Sequence, residues 1–516
     1  MYACETCSLL AKPLVDVHRC VAHGTDRGIP LRRLWQGRAR AFASSRNAPG
    51  GSLLPSLVPF REPRGHIHVT SACQQAASID SAASCYGCGA DVQTRNPAAA
   101  GFVPPDVLAT KARFHQLDQL LCTRCQGLNH GAPIPGVADL AVQAAEDGSR
   151  LVTPEELRNK IMHLRTAKAF VVLLVDLVDV SGTLLPRLRD MVGANPVVVV
   201  GTKLDLMPAG VKPDQLATWL QAAVEFKGIR PVAVYLTSGR TNAGVAAAVA
   251  GIRSERQGRD VYLIGAANAG KSVFLRAMVR EMADMGSRSY DPAAIGAGRR
   301  LPTASGIPGT TLGLIRLPVF SSGGCLVDTP GVHLHHRLPH ALRPEHHAAL
   351  APRGRLRGRG VAVPPGGAVL WWGGCVRLHV APHRGQHVSL TFFGPKSLHV
   401  AEAGGGEEAA GGLARGAPGA GGVDACGDRP PPPPAGGAWF QGGSAALLER
   451  GLSRPRRLTK PLAPGQPRAI ADLAVSGLPG WVSVHGSGAG ELALEVCVPA
   501  GVEVFWRPPL PVHVSA

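Results

Sequence analysis

One eight-residue stretch, Gly265-Ala-Ala-Asn-Ala-Gly-Lys-Ser272, constrains this chain more than any other. It satisfies G-x-x-x-x-G-K-[ST] at every fixed position. The residues before it, Asp260–Ile264, read as a short buried strand. Those after it, Val273–Met285, read as a helix with apolar positions at Phe274, Leu275, Met278 and Met282. A loop between strand and helix aims successive backbone N–H groups, and the positive end of the helix, at a phosphate. Gly265 and Gly270 allow the tight turn and close approach this needs. Lys271 can reach the β and γ phosphates, and Ser272 can offer its hydroxyl to Mg²⁺.

The surrounding chain supplies a sheet for such a loop. Ala169–Val175 is a continuous apolar run, as expected of a strand buried on both faces. Pro196–Gly201, Val232–Leu236, Leu312–Phe320 and Cys325–Val327 read as further strands. Leu184–Val192, Pro213–Phe226 and Asn242–Ile252 read as helices between them. The alternation predicts an α/β fold, a mostly parallel sheet with helices on both faces.

Short motifs fall where these strands end. Thr202-Lys-Leu-Asp205 fits [N/T]-K-x-D after a strand. The Asp205 carboxylate can accept from N1–H and the 2-amino group of guanine, whereas adenine would leave it unpaired. The stem of Lys203 can cover a face of the base, and Ser238 begins a loop able to close over it. Asp328-Thr-Pro-Gly331 places a carboxylate for Mg²⁺ and an N–H at Gly331 for a γ phosphate. Thr310 or Thr311 can complete the metal shell, with Thr311 favoured. Together these residues predict GTP or GDP as ligand at the carboxyl edge of the sheet.

Two C-x-x-C units, Cys85-Tyr-Gly-Cys88 and Cys122-Thr-Arg-Cys125, can supply four thiolates to one structural Zn²⁺. The 516 residues carry a formal net charge of +18, which suits a polyanionic partner such as RNA. Aromatics make only 5% of the chain, so no base-stacking platform is evident. No apolar run is long enough to span a membrane. Between Arg27 and Arg61 the chain has arginines and no Asp or Glu, the composition of an organelle transit peptide.

The motif order is unusual. Base reader and closing loop precede phosphate loop, switch threonine and DTPG, whereas an ordinary guanine-nucleotide domain runs from phosphate loop to base reader. With the Cys₄ unit just upstream, residues 85 to 335 resemble the circularly permuted YqeH-type ribosome-assembly GTPases. The stretches Val332–Arg337, Ala349–Pro352, Arg355–Gly358, Phe392–Lys396 and Val504–Pro511 look like the plant plastid, brassinazole-insensitive pale-green branch. The resemblance implies a GTP-hydrolysing factor acting on rRNA or an immature ribosomal subunit in the chloroplast, with the mitochondrion as the alternative. It also implies that Asn268 holds K⁺ near the β–γ bridge, beside Lys271, Thr311 and Gly331 as catalytic groups. Thr202 stands where the wider superfamily has Asn, and Val332 where many GTPases place a water-orienting Gln. Alternatives are an RNA-binding scaffold with slow or absent hydrolysis and the mitochondrial nitric-oxide-associated type.

The expected domains are a transit segment and linker (1–80), a zinc module (81–150) and the permuted domain (151–335). A basic His/Arg-rich connector (336–365) and a smaller β-rich C-terminal domain (366–516) follow, the latter with a low-complexity insert at 401–446.

Overall fold

The apolar run at 169–175 becomes strand β1, Ala169–Asp176, buried along its whole length. Its side chains serve two cores alternately. Val171, Leu173 and Val175 join one cluster, and Phe170, Val172 and Leu174 join the other. A strand rotates successive side chains to opposite faces, so a run apolar at every position needs cover on both. β2 (Val197–Thr202) and β4 (Asp260–Gly265) divide in the same way. Helices Pro154–Ile161, Leu188–Val192 and Pro213–Phe226 cover one face. Val245–Arg256 and Lys271–Asp284 cover the other.

The structure is a computed structural model describing residues 83–97, 99–129, 152–285, 290, 301–302, 311–342, 347–402 and 452–512. The expected transit segment 1–80, Thr310, and the insert from 403 to 446 lie outside the described residues. All described residues fall within one unit, Ser71–Ala516.

With β3 (Val234–Leu236), β5 (Ile315–Leu317) and β6 (Leu326–Asp328) added, the sheet order is β3-β2-β1-β4-β6-β5. Every neighbouring pair is parallel except β5 and β6. The chain runs outward from β1 through β3, then returns to lay β4 on the other side of β1. That reversal makes β1/β4 the switch point, where open α/β sheets bind ligands. The phosphate-loop strand thus sits between the strand ending in Asp176 and the strand ending in Asp328.

The C-terminal region is two five-stranded antiparallel sheets. One contains β7 (Arg357–Val363), β10 (His387–Gly394), β13 (Arg468–Val475), β14 (Trp481–Ser487) and β16 (Val504–Arg507), in the order β16-β13-β14-β10-β7. The other contains β8 (Ala368–Trp372), β9 (Val376–Val380), β11 (Val400–Glu402), β12 (Arg456–Pro461) and β15 (Glu491–Cys497), in the order β11-β8-β9-β15-β12. Trp372, Phe392, Leu390, Val482 and Leu494 fill the core of this region.

Parts of the expected connector 336–365 are regular structure. Leu338–Ala341 is a buried 3₁₀ turn, and Arg357–Val363 pairs with β10 over seven residues. Arginine and glycine at alternate positions hide this strand from a composition-based reading. Ala401 and Glu402, expected in the insert, are in β11.

Candidate nucleotide site and zinc module

The phosphate loop is held from below. Val332 N–H donates to Gly265 O at 3.1 Å, and Ala267 N–H donates to Val332 O at 2.7 Å. A Cβ on Gly265 would stand 2.8 Å from Leu174 O, so glycine is sterically required where the loop leaves β4. Gly270 has φ +86°, the left-handed turn into the helix that follows. Asn268 also has positive φ, at the exposed tip of the loop, and its carboxamide makes no hydrogen bond among the described residues.

Lys271 is buried at the first position of that helix, and burial lowers its pKa. Asp328 is fully buried opposite it. Burial pushes the Asp328 carboxyl up to about 6, while the Lys271 charge and a hydrogen bond from Thr311 pull it down. Thr311 Oγ1 donates to Asp328 Oδ2 at 3.3 Å, leaving Oδ1 buried with no partner among the described residues. An orphaned buried carboxylate oxygen is what a cation-coordinating group leaves when no cation is present. Ser272, half-buried one residue beyond Lys271, adds a hydroxyl. These groups fit Mg²⁺, a hard cation that takes oxygen ligands. A Cβ on Gly331 would stand 3.0 Å from Lys271 Nζ and 3.0 Å from Ala267 Cα, so the DTPG glycine packs directly on loop and lysine.

The base-reading segment meets the same loop. Thr202 Oγ1 donates to Ala269 O at 2.7 Å, with Val175 O at 3.2 Å as a second acceptor for the same proton. Its hydroxyl therefore ties the base reader to the phosphate loop. Lys203, with φ +62°, pairs with Asp176 Oδ2 at 2.5 Å. Asp205 Oδ1 accepts from Ser238 Oγ at 2.7 Å. A carboxylate has about four lone-pair sites, so capacity for a base remains. Val332 sits in the core at 1% exposure and cannot orient a water.

The sequence reading missed three partners. Asp176 and Asp179 follow the apolar run of β1, and carboxylates just beyond a strand's C-terminal end were the available signal. Asp179 is buried, its carboxyl pushed up to about 6 by burial and opposed by Arg337. It accepts from Arg337 at 3.0 Å, from Gly182 N–H at 3.2 Å and from Gly477 N–H, in the C-terminal region, at 2.9 Å. Arg337 also donates to Ala267 O in the phosphate loop at 2.9 Å. One arginine thus joins phosphate loop, β1 end and C-terminal region, and no local pattern announces it.

Cys85, Cys88, Cys122 and Cys125 are fully buried, with all four sulfurs within 4.8 Å of one another. A tetrahedron with ~2.3 Å metal–sulfur bonds sets sulfurs ~3.8 Å apart. Cys88 and Cys122 Sγ are 3.9 Å apart. The residues fit a structural Zn²⁺. The third missed partner lies here: Cys88 O accepts from Leu312 N–H at 2.7 Å and Gly313 N–H at 3.0 Å, so the module braces the residue after Thr311.

A parallel sheet with this motif order, a Cys₄ module upstream and β sheets downstream define a circularly permuted GTPase-type protein of the YqeH kind. Comparison with known proteins gives the family. A protein of Oryza sativa subsp. japonica named as a candidate nitric oxide synthase is 39% identical over 84% of this chain and 79% of its own. NO-associated protein 1, chloroplastic/mitochondrial, of Arabidopsis thaliana is 36% identical over 85% and 78%. YqeH of Bacillus subtilis is 30% identical over 53% and 66%. The chain belongs to the YqeH and NO-associated protein 1 family. The GTP-binding pale-green protein of Arabidopsis, chloroplastic, matches at 26% over 55% of this chain, below the rice protein and the Arabidopsis NO-associated protein. The expected chloroplast location, with the mitochondrion as the alternative, agrees with the names of the Arabidopsis relatives. No family model matches. Among the described residues no helix is long and apolar enough to cross a membrane.

Proposed function

We propose that the protein binds GTP and GDP with Mg²⁺, hydrolyses GTP, and acts on rRNA or an immature ribosomal subunit in the chloroplast or, alternatively, the mitochondrion. The single observation that carries the catalytic reading is the buried Asp328 carboxylate. One of its oxygens is bonded to Thr311 and the other is unpartnered, and it lies near the buried Lys271 amine. Asp328, Thr311 and Ser272 would hold Mg²⁺, which when bound supplies charge stabilisation to a transferring phosphoryl group. Lys271 places a positive charge where phosphoryl oxygens gain negative charge, in a site dry enough for that charge to act strongly. The Gly331 N–H would meet the γ phosphate, and Asp205 with Ser238 would select guanine.

Val332 supplies nothing to the attacking water. Intrinsic hydrolysis is therefore slow, and the free, exposed carboxamide of Asn268 is the group available to recruit K⁺ beside the phosphates. The charge of +18 and the GTP-binding name of the pale-green relative support the wider reading. Arg337 offers a route between the nucleotide and the C-terminal region, because its partners lie on both. Single-turnover GTP hydrolysis in KCl and in NaCl, for the wild type and Asp328→Asn, tests the proposal. Faster turnover in KCl and loss in the variant are expected. Equal turnover of wild type and variant rejects the assigned site, and equal rates in both salts reject the K⁺ role.

A further inference from the structure

The proposed RNA role leaves open where the chain would touch RNA. The His/Arg-rich segment after DTPG supplies little free charge at its start. Arg337 is engaged by Asp179 and Ala267, and the rings of His333 and His340 pack 3.8 Å apart. The free charge lies further on.

We propose that Arg355, Arg357 and Arg359 form a phosphate ladder for single-stranded RNA along the outer edge of the C-terminal sheets, an inference that rests on the RNA reading above. β7 is the terminal strand of its sheet, so among the described residues one of its edges has no neighbouring strand. Within β7, period-two spacing puts Arg357 and Arg359 on one face, about 6.6 Å apart, and Arg355 lies two residues before the strand begins. That spacing is commensurate with successive phosphates of an extended strand. All three are exposed, and none has a hydrogen bond or ion pair with a described residue. Residues 351–401 contain no Asp or Glu, so no carboxylate from this part of the chain competes for them.

The backbone beneath two of the arginines is held in the sheet. Arg359 is paired opposite Phe392 and Arg357 opposite Gly394 in the register with β10. Leu356, between the first two arginines, is 2% exposed, and its N–H donates at 2.8 Å to the carbonyl of Leu206, the residue after Asp205. The segment therefore starts beside the base-reading loop, and the backbone that carries Arg357 and Arg359 is fixed without a ligand, which reduces the ordering cost of binding several phosphates together. Gly354 and Gly360 have nothing within 4 Å of a built Cβ and no positive φ, so the fold does not demand glycine there. Bare backbone on both sides of the arginines lets another chain approach closely.

The ligand class follows from what accompanies the charge. None of the exposed large apolar side chains among the described residues lies in the C-terminal sheets. A membrane-binding face would carry apolar anchors, and a base reader would carry stacking aromatics. Charge alone at regular spacing recognises a polyanionic backbone with little regard to sequence.

The test is a KCl titration of affinity, by fluorescence anisotropy, for a labelled oligouridine of about twenty nucleotides, longer than one domain's footprint. Each phosphate contact contributes about 0.7 to the slope of log affinity against log salt for single strands, so Arg355→Gln/Arg357→Gln/Arg359→Gln should lower it by about 2. The charge-matched variant Arg158→Gln/Arg165→Gln/Arg230→Gln, on exposed positions of the nucleotide domain, should leave the slope unchanged. Binding of labelled GDP should match wild type in both. An undiminished slope in the ladder variant, or an equal fall in both variants, overturns the ladder while leaving the RNA reading intact. Failure of the wild type to bind oligouridine overturns both, as does binding only to phosphatidylglycerol vesicles.

Discussion

Replacing Gly313 by alanine separates the zinc module from the nucleotide site without touching a cysteine or a nucleotide-binding side chain. A Cβ at Gly313 would stand 1.9 Å from Gly89 O and 2.7 Å from Gly89 C. Both are backbone atoms and cannot rotate away. Restoring ordinary contact requires the two segments to part by roughly 1.5 Å, the difference between 1.9 Å and a 3.4 Å contact. That movement breaks the bonds from Leu312 and Gly313 to Cys88 O, now 2.7 and 3.0 Å. Two backbone hydrogen bonds contribute about 2 kcal/mol together. The loss falls on the residues that fix Thr311, so a non-hydrolysable GTP analogue with Mg²⁺ should bind roughly thirtyfold more weakly. GDP does not use the switch threonine, and its affinity should stay at the wild-type value. Titration with fluorescently labelled nucleotides, with zinc content by mass spectrometry, reads both effects. Wild-type affinity for the analogue in a zinc-loaded variant refutes the brace. An equal fall for GDP and the analogue also refutes it, since the effect would not pass through the switch.

Other outcomes follow from the same geometry. Asp328 has its pKa raised to about 6, so it is protonated below that value and ionised above it. Mg²⁺-dependent nucleotide affinity should rise as pH increases through about 6 and then level off; a flat profile across that interval contradicts the metal role. The sign for the nucleotide-free protein is opposite: a carboxyl raised from 3.8 favours the fold most below 3.8 and loses that contribution as pH climbs through about 6. Denaturant midpoints of wild type and Asp328→Asn over that range should therefore diverge with rising pH. Arg337→Met leaves Asp179 buried without its ion pair, a loss of about 3–5 kcal/mol for a buried pair, visible as a lower melting temperature. The double variant Arg337→Met/Asp179→Leu should recover part of that loss, and no recovery would show that the pair is not the cause. Cys122→Ser should release zinc and lower the melting temperature; retention of stoichiometric zinc would exclude the four-sulfur site.

Much of this was legible in the sequence because it is local. The run at 169–175 is apolar at every position, which only a doubly covered strand explains, and both faces of β1 are indeed core. The observed helix Pro213–Phe226 coincides with the expected one, since proline at its first position and apolar spacing mark it. C-x-x-C pairs announce their own convergence, and the four sulfurs meet. The expected strand Leu312–Phe320 shrinks to Ile315–Leu317, because Thr311 to Gly313 are turned toward Asp328 and Cys88.

What was not legible depends on contacts between distant residues. Arg337 and Asp179 are 158 positions apart, and nothing near either names the other. Thr202 was legible as the first residue of the base-reading motif, but the bond from its hydroxyl to Ala269 in the phosphate loop, 67 positions away, was not. β7 fell within the expected basic connector because its arginines mask Val361 and Val363, whose partners in β10 give it a place in the sheet. A permuted chain accentuates this difference: motif order changes while the spatial order of strands around the switch point is what positions the site.

The central claim is that segments in shuffled order converge on one guanine nucleotide, with Asp205 reading the base. Nucleotide preference of Asp205→Asn tests it most directly. Xanthine carries a carbonyl where guanine has its 2-amino group, so an amide able to donate should favour xanthosine triphosphate over GTP, a reversal of the wild-type order. Unchanged preference for GTP in a folded, zinc-loaded variant would mean that the base lies elsewhere.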